Sequence, residues 1–317
     1  MGRRIDAMVT AIVFPGQGSQ APGMGKDLAE NFAVARQVFE EADDALGFAI
    51  SRLCFDGPAE DLELTENTQP AILTVSVAAF RALREAGIEA PAFVAGHSLG
   101  EYSALVAAGS LNLTDAVRTV RARGRYMQEA VPVGTGAMAA AIGGDLEAIE
   151  RICAEAAGDQ VCSIANINAP NQVVIAGNTE AVDRAVELLS GVARKVVKLK
   201  VSAPFHCALM KPAQDRLAAD LERLNFSAPA MPVVTNVDAR ATTAPDELRD
   251  ALVRQVSAPV RWVESMQLLV EQGVDRFVEA GPGKVLSGLM RQINRDVKML
   301  NVEDAASLET TRAALAT

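Results

Sequence analysis

Histidine is scarce in this sequence: His97 and His206 are the two among 317 residues. A catalytic metal centre built on several imidazoles is therefore excluded, and a histidine base, if there is one, is one of these two. Cysteine is nearly as rare. Cys54, Cys153, Cys162 and Cys207 show no CxxC spacing, which argues against a zinc site or a disulfide framework and reads them as reduced core thiols. Aromatic residues make up only 4% while Ala, Val and Leu abound, a composition that suits helices packed on a buried sheet better than a β-sandwich. Basic charge is in deficit. Thirty Lys and Arg against 40 Asp and Glu leave a net charge of −10, which opposes broad attraction to nucleic acid or to anionic lipid. No apolar run reaches the ~18 residues of a membrane span, and the opening MGRRIDAMVTAIVF lacks the apolar stretch of a signal peptide. A cytoplasmic protein with no membrane and no nucleic-acid partner is expected. Met8 is a second candidate start, and residues 1–7 are assigned to no element.

Half of the chain is apolar, enough for one large core with a smaller body inserted in it. AIVF at 11–14 reads as a buried strand, PGQGSQAPGMG as a glycine-rich loop, and the segment from Asp27 to Leu46 as a helix. A long buried helix follows in TENTQPAILTVSVAAFRALREAG, with Pro70 at an early helical position and Gly87 at the stop. PAFVAGHSLGEYSALVAAG repeats strand, tight turn and helix, with Leu99 to Ala108 the helix; Thr114 is the expected cap of the helix after it. From about residue 132 the order becomes βαββαβ, a ferredoxin-like unit. The expected fold is α/β: a hydrolase-like large subdomain over 1–131 and 204–317, and a small ferredoxin-like subdomain over 132–203 that leans on it. After 204 the α/β pattern resumes through MPVVTNV and DRFVEAGPG to a final helix.

GHSLG at 96–100 fits the GxSxG elbow, in which the nucleophilic serine sits on a strained strand-to-helix turn and small flanking residues let strand and helix approach. Ser98 needs a base. His97 adjoins it in a sharp turn that should point its ring elsewhere, so His206 in VSAPFHCALM is the better candidate, although sequence spacing says nothing about their distance. Arg123 is the third informative residue. On a helical wheel Val117, Val120, Gly124, Met127 and Val131 share one face, Arg118, Arg121 and Arg125 lie opposite, and Arg123 falls at the apolar margin. A cation there requires an anionic partner, either a substrate carboxylate or an internal Asp or Glu. GQGSQA at 16–21 also satisfies the GxGxxG/A dinucleotide pattern, but no second strand ending in an acidic residue follows about 20 residues on.

FPGQGSQ, NTQPA, GHSLGEYSAL, RGRYMQEA, GTGAMAA, SAPFH and EAGPGKVL together resemble, in the same order, the malonyl-CoA:acyl carrier protein transacylases, a family shared with polyketide synthase acyltransferase domains. The resemblance implies that Ser98 is acylated, that His206 is the general base, and that Arg123 holds the malonyl carboxylate. It further implies that the main-chain N–H groups of Gln17 and Leu99 form the oxyanion hole, and that the main-chain carbonyl of Gln255 orients His206. The implied reaction is ping-pong transfer from malonyl-CoA to the phosphopantetheine thiol of acyl carrier protein, supplying fatty acid or polyketide synthesis, with no metal or other cofactor and a monomeric enzyme. Phe205 resembles the phenylalanine of malonyl-selective members. The carrier protein is expected on a local basic strip, with Arg194, Lys195, Lys198 and Lys200 as candidates. A serine hydrolase is the rival, disfavoured because its histidine usually lies near the C-terminus, whereas about 110 residues follow His206.

Overall fold

The computed structural model describes residues 8–316, so the reading of residues 1–7 lies outside the described residues. Ten strands form two sheets. The larger contains β1 (Val9–Phe14), β2 (Phe93–Gly96), β7 (Val233–Thr235), β8 (Arg240–Thr242), β9 (Val274–Ala280) and β10 (Lys298–Val302), in the order β10-β9-β1-β2-β7-β8. All its pairs are parallel except the β7–β8 hairpin. Helices cover both faces, as continuous apolar strands of this kind demand. The alternation of a strand decides which core each residue joins. Ile12, Phe14, Val94 and Val233 pack with the long helix Thr65–Glu85, whereas Ala11, Val13, Ala95 and Val234 pack with Trp262 and Met266 of helix Trp262–Glu271.

The smaller sheet holds β3 (Gly136–Ile142), β4 (Cys162–Ala169), β5 (Gln172–Asn178) and β6 (Lys195–Lys198) in the order β4-β5-β3-β6, all antiparallel. Helices Leu146–Ala157 and Thr179–Leu189 supply its own apolar cluster, in which Ile149, Cys153 and Val182 meet Ala139, Ala141 and Ile175. Main-chain bonds tie it to the larger body where Asn166 of β4 bridges to Val260, with Ile167 N–H donating to the Val260 carbonyl and Val260 N–H to the Ala165 carbonyl, both at 2.9 Å.

Local readings needed correction where one backbone angle or one side-chain bond decides. The helix expected from Asp27 to Leu46 is two, Lys26–Asn31 and Ala33–Leu46, broken at Phe32, whose extended backbone (φ −125°, ψ 119°) caps both. Pro70 lies inside the helix and not at its start, because the helix begins at Thr65; Thr74 Oγ1 donates to the Pro70 carbonyl at 2.7 Å. The cap of helix Leu113–Glu129 is Asn112, whose side chain accepts from Asp115 N–H at 2.7 Å, and not Thr114. The elbow helix is Gly100–Ala107, one residue shorter at each end than expected. β8 and β10 had no separate sequence reading. Among the described residues no helix is long and apolar enough to cross a membrane.

The tightest constraint in the large sheet is the approach of β1 and β2 to the elbow helix. A Cβ on Gly96 would stand 1.9 Å from the Gly100 carbonyl, and one on Gly100 would stand 2.2 Å from the Phe14 carbonyl. Neither contact is survivable without moving backbone. Gly288, inside helix Val285–Ile293, meets nothing within 4 Å. Gly100→Ala is therefore expected to unfold the protein or lower its melting temperature by more than about 10 °C, while Gly288→Ala leaves it unchanged or slightly raised. Equal melting temperatures for the two variants would contradict the packing described.

Candidate active site

β2 ends at Gly96, and the turn that follows holds Ser98 at φ 52°, a region a non-glycine residue occupies only when its surroundings enforce it. The enforcing contacts come from both sides. His97 N–H donates to the Phe14 carbonyl at 3.0 Å, and Asn236 clamps the turn: its Oδ1 accepts from Ser98 N–H at 2.6 Å and its Nδ2 donates to the Gly96 carbonyl at 2.7 Å. Asn236 N–H in turn donates to Oε2 of Glu101, on the first turn of the elbow helix, at 2.9 Å. The strained turn thus presents Oγ at the carboxyl end of the strand, where parallel sheets place their sites.

His206 lies 108 residues further along the chain, also with a left-handed backbone (φ 59°), and the two side chains meet: Ser98 Oγ stands 2.7 Å from His206 Nε2. Nδ1 lies 2.9 Å from the Gln255 carbonyl, which can only accept, so Nδ1 carries the proton and Nε2 is left to receive one. The pair has the geometry of a nucleophile and its base, with a main-chain carbonyl where a triad has a carboxylate. Burial, and then the nearby Arg123 charge, hold the His206 imidazolium pKa down to about 3. His97 turns away from the pair; its Nε2 lies 2.8 Å from Asn168 Oδ1 of β4.

Arg123, 2% exposed on helix Leu113–Glu129, has no carboxylate within hydrogen-bond distance among the described residues. Nη1 donates to Gln69 Oε1 at 2.7 Å; Nη2 donates to Gln255 Oε1 at 2.9 Å and to Ser98 Oγ at 3.2 Å. Its guanidinium carbon also sits 5.8 Å from the centre of the Tyr102 ring. Of the two alternatives raised from the wheel pattern, the internal Asp or Glu makes no direct bond among the described residues: the bonded partners are two amide oxygens and the Ser98 hydroxyl, and Glu101 reaches Arg123 by its charge and across Gln255. The Gln255 side chain therefore does more than its sequence reading gave it. Besides Arg123, its Nε2 serves Glu101 Oε2 at 2.8 Å and the Ser98 carbonyl at 3.0 Å.

These groups border a cavity of about 360 Å³ whose lining includes Gln17, Leu99, Phe205 and Met127, with Met138 and Val174 from the smaller sheet. Gly16 is what brings the first loop in: a Cβ there would lie 2.5 Å from the His97 carbonyl. Gln17 then sits beside the elbow with its side-chain Oε1 held by Thr65 Oγ1 at 2.9 Å. The main-chain N–H groups of Gln17 and Leu99 donate to no acceptor among the described residues. The dinucleotide alternative fails on this loop, because the helix that follows it in the chain begins only at Lys26, eight residues beyond the second glycine of the pattern. Among the described residues no group of three or more His, Cys, Asp or Glu is placed to hold a metal ion. Of the basic strip, Lys200 lines the cavity, Arg194 and Lys195 are exposed, and Lys198 is ion-paired with Asp183. Glu101, Asn236 and Gln69 had no sequence reading. For Glu101 a signal existed, a lone acidic residue in the otherwise uncharged helix GEYSALVA; for the two amides there was none.

Residues 11–313 match the profile of the acyl transferase domain family, and this sets the class: the protein is an acyltransferase. It is 53% identical to the malonyl CoA-acyl carrier protein transacylase of Escherichia coli K12 over 284 residues, covering 89% of this chain and 92% of that one. The crystal structure of an acyl carrier protein S-malonyltransferase from Vibrio cholerae superposes with a TM-score of 0.94 at 52% identity, over 95% of this chain and 99% of that chain. A malonyl-transacylase solved in complex with its type II polyketide synthase acyl-carrier protein matches equally, with a TM-score of 0.94 at 50% identity over 96% and 99% of the two chains. The chain belongs to the malonyl CoA-acyl carrier protein transacylase family.

The depressed His206 has a consequence for stability. Folded, it stays neutral down to about pH 3; unfolded, an ordinary imidazole takes up a proton as pH falls through about 6.5. Between these limits the unfolded state binds more protons, so His206 contributes a destabilisation that grows as pH falls below about 6.5. His206→Ala is expected to lose less melting temperature than the wild type between about pH 6.5 and 5. Parallel curves of melting temperature against pH would contradict the assignment.

Proposed function

We propose that this chain transfers a malonyl group from malonyl-CoA to the phosphopantetheine thiol of an acyl carrier protein, by a ping-pong route through an ester on Ser98, as a cytoplasmic monomer. The observation that carries the reading is the convergence on Ser98 Oγ of His206 Nε2 at 2.7 Å and of Nη2 of the buried Arg123 at 3.2 Å. In the first half-reaction His206 Nε2 takes the Oγ proton as Oγ attacks the thioester carbonyl. The tetrahedral oxyanion is received by the N–H groups of Gln17 and Leu99, each contributing about 2.7 to 4 kcal/mol to lowering the barrier. Collapse breaks the C–S bond, and the imidazolium returns its proton to the departing CoA sulfur. In the second, the carrier thiol gives its proton to Nε2, its sulfur attacks the ester, and Ser98 leaves with that proton restored to Oγ. The scheme draws on no metal or redox group.

Arg123 supplies selection. Its two Nη atoms match a carboxylate held through both oxygens, and an acyl group without one leaves the cation served by neutral amides alone. The charge also acts on the base. Arg123 lowers His206, so a carboxylate that neutralises it makes Nε2 more basic when a malonyl group is in place. Phe205, buried beside His206 at the cavity wall, crowds an α-methyl branch; one methyl contact discriminates by about 1 to 3 kcal/mol.

Intact-protein mass spectrometry after incubation with malonyl-CoA, then with carrier protein, tests nucleophile, acyl group and acceptor together. Wild type is expected to gain one malonyl group and to lose it to the carrier; Ser98→Ala gains none, and His206→Ala slows both steps. Malonyl transfer by Ser98→Ala at the wild-type rate would overturn the route. In competitive loading, Arg123→Ala is expected to lose malonyl while keeping or gaining acetyl, a swing of about two to three orders of magnitude. Phe205→Ser is expected to admit methylmalonyl. Equal loading of malonyl and acetyl groups on the wild type would remove Arg123 from this role.

A further inference from the structure

Glu101 is fully buried and does not itself line the cavity; its main-chain N–H donates to the carbonyl of Ser98, which does, at 3.1 Å. Its Oε2 accepts two bonds, from Asn236 N–H at 2.9 Å and from Gln255 Nε2 at 2.8 Å, while Oε1 has no hydrogen-bond partner. Both donors belong to residues that hold the reacting groups: Asn236 clamps the Ser98 turn, and Gln255 carries His206 on its main-chain carbonyl and Arg123 on its side-chain oxygen. We propose that Glu101 is a positioning residue for acyl-group selection, its carboxylate fixing the Gln255 amide so that the oxygen, and not the nitrogen, faces Arg123. The proposal rests on the reading of Arg123 as the carboxylate clamp.

A glutamine amide has a donor end and an acceptor end of nearly the same shape, so its orientation is decided by its neighbours. Turned over, Gln255 would set an NH₂ against the guanidinium and an oxygen against both the Glu101 carboxylate and the Ser98 carbonyl. The carboxylate is the charged acceptor of the pair and gives the stronger bond. The other amide on Arg123 is held differently. Gln69 Nε2 donates to the Thr65 hydroxyl at 3.3 Å, and that hydroxyl donates to Gln17 Oε1 at 2.9 Å. That relay is neutral throughout, and a hydroxyl can serve as donor or acceptor. Both amides turn their oxygens to the guanidinium, which can only donate; Gln255 is the one whose nitrogen end is also held by a charge, and it is the one that meets Nη2, the nitrogen bonded to Ser98 Oγ. Without Glu101 the nitrogen end keeps only the neutral Ser98 carbonyl, and the amide that aims Nη2 at the acyl pocket is held less firmly.

The test is competitive loading with malonyl-CoA and acetyl-CoA, read by intact mass at about pH 8, above the pKa of about 7 to which burial pushes Glu101. Glu101→Met removes the acceptor and is expected to lower the malonyl-to-acetyl ratio about tenfold; Glu101→Gln keeps a neutral acceptor and is expected to recover most of it, leaving a loss of roughly threefold. Should Glu101→Met not fold, the Glu101→Gln ratio decides. In an Arg123→Ala background Glu101→Gln is expected to change the ratio no further, because both act on one clamp. An unchanged ratio in the Glu101 variants, with both acyl groups slowed alike, would reduce Glu101 to a packing role and overturn the proposal. So would a fall that persists without Arg123. If Arg123→Ala itself left the ratio at the wild-type value, the clamp reading would fall, and this proposal with it.

Discussion

A guanidinium buried without a bonded carboxylate is the condition on which the rest of the site depends. Taking such a cation out of water costs several kcal/mol unless its donors are met, and here the Nη atoms of Arg123 meet two amide oxygens and a hydroxyl and its plane approaches an aromatic ring, while Nε has no hydrogen-bond partner among the described residues. All four are neutral. An aspartate in place of either amide would make a closed ion pair and cancel the field. Neutral partners leave the field standing, and it falls on the two atoms that need it. It favours the alkoxide form of Ser98, 3.2 Å away, and adds to burial in keeping His206 unprotonated. The same field makes the pocket a receptor for a small anion.

Holding this arrangement requires parts of the chain that are far apart in sequence to stop within fractions of an ångström of one another. The local part is the pair of parallel strands β1 and β2, whose adjacent ends at Phe14 and Gly96 are in register. Glycines at 16, 96 and 100 let the first loop, the turn and the elbow helix close on each other. The remote part enters after the smaller sheet, as His206, Asn236 and Gln255. Glu101 joins the two, standing on the elbow helix and bonding the remote residues. The members of a buried polar network of this kind strengthen one another, which couples the strained serine turn to the position of the cation.

What the sequence made legible follows this division. GHSLG was readable because its requirement is local: small residues at fixed offsets about a strained turn. His206 could be reached by elimination among two histidines, and Arg123 because a cation at an apolar margin violates the helical pattern. Asn236 and Gln69 were not readable, since an amide in a loop or on a buried helix carries no periodic signal and acquires its role from a partner over 50 residues away. For Gln255 the main-chain role came with the family resemblance, whereas its side-chain role needed the positions of Arg123 and Glu101. The misplaced helix cap and the break at Phe32 are of another kind. Asn112 and Thr114 are both good caps, and one side-chain bond to Asp115 N–H chose between them.

The smaller sheet bears on the chemistry through its position. Met138, Val174 and Asn168 from its strands line the cavity across from Ser98, so its placement sets the width of the space beside the nucleophile. Two main-chain bonds between β4 and the segment at Val260, with Met138, Ala165, Val174 and Ala176 packed into the main apolar cluster, hold that placement. They lie one and three residues from Asn168, which receives the His97 ring. With His97 held toward β4, the space on the other side of Ser98 is left to His206, and the serine has one imidazole within hydrogen-bond reach instead of two. The tie at Val260 stands five residues from Gln255 in the same stretch of chain, so the wall of the cavity and the carbonyl that orients the base are carried by one continuous segment. A displacement of the smaller sheet would therefore move the acyl pocket and the base together, keeping the cavity aligned with the atom that attacks.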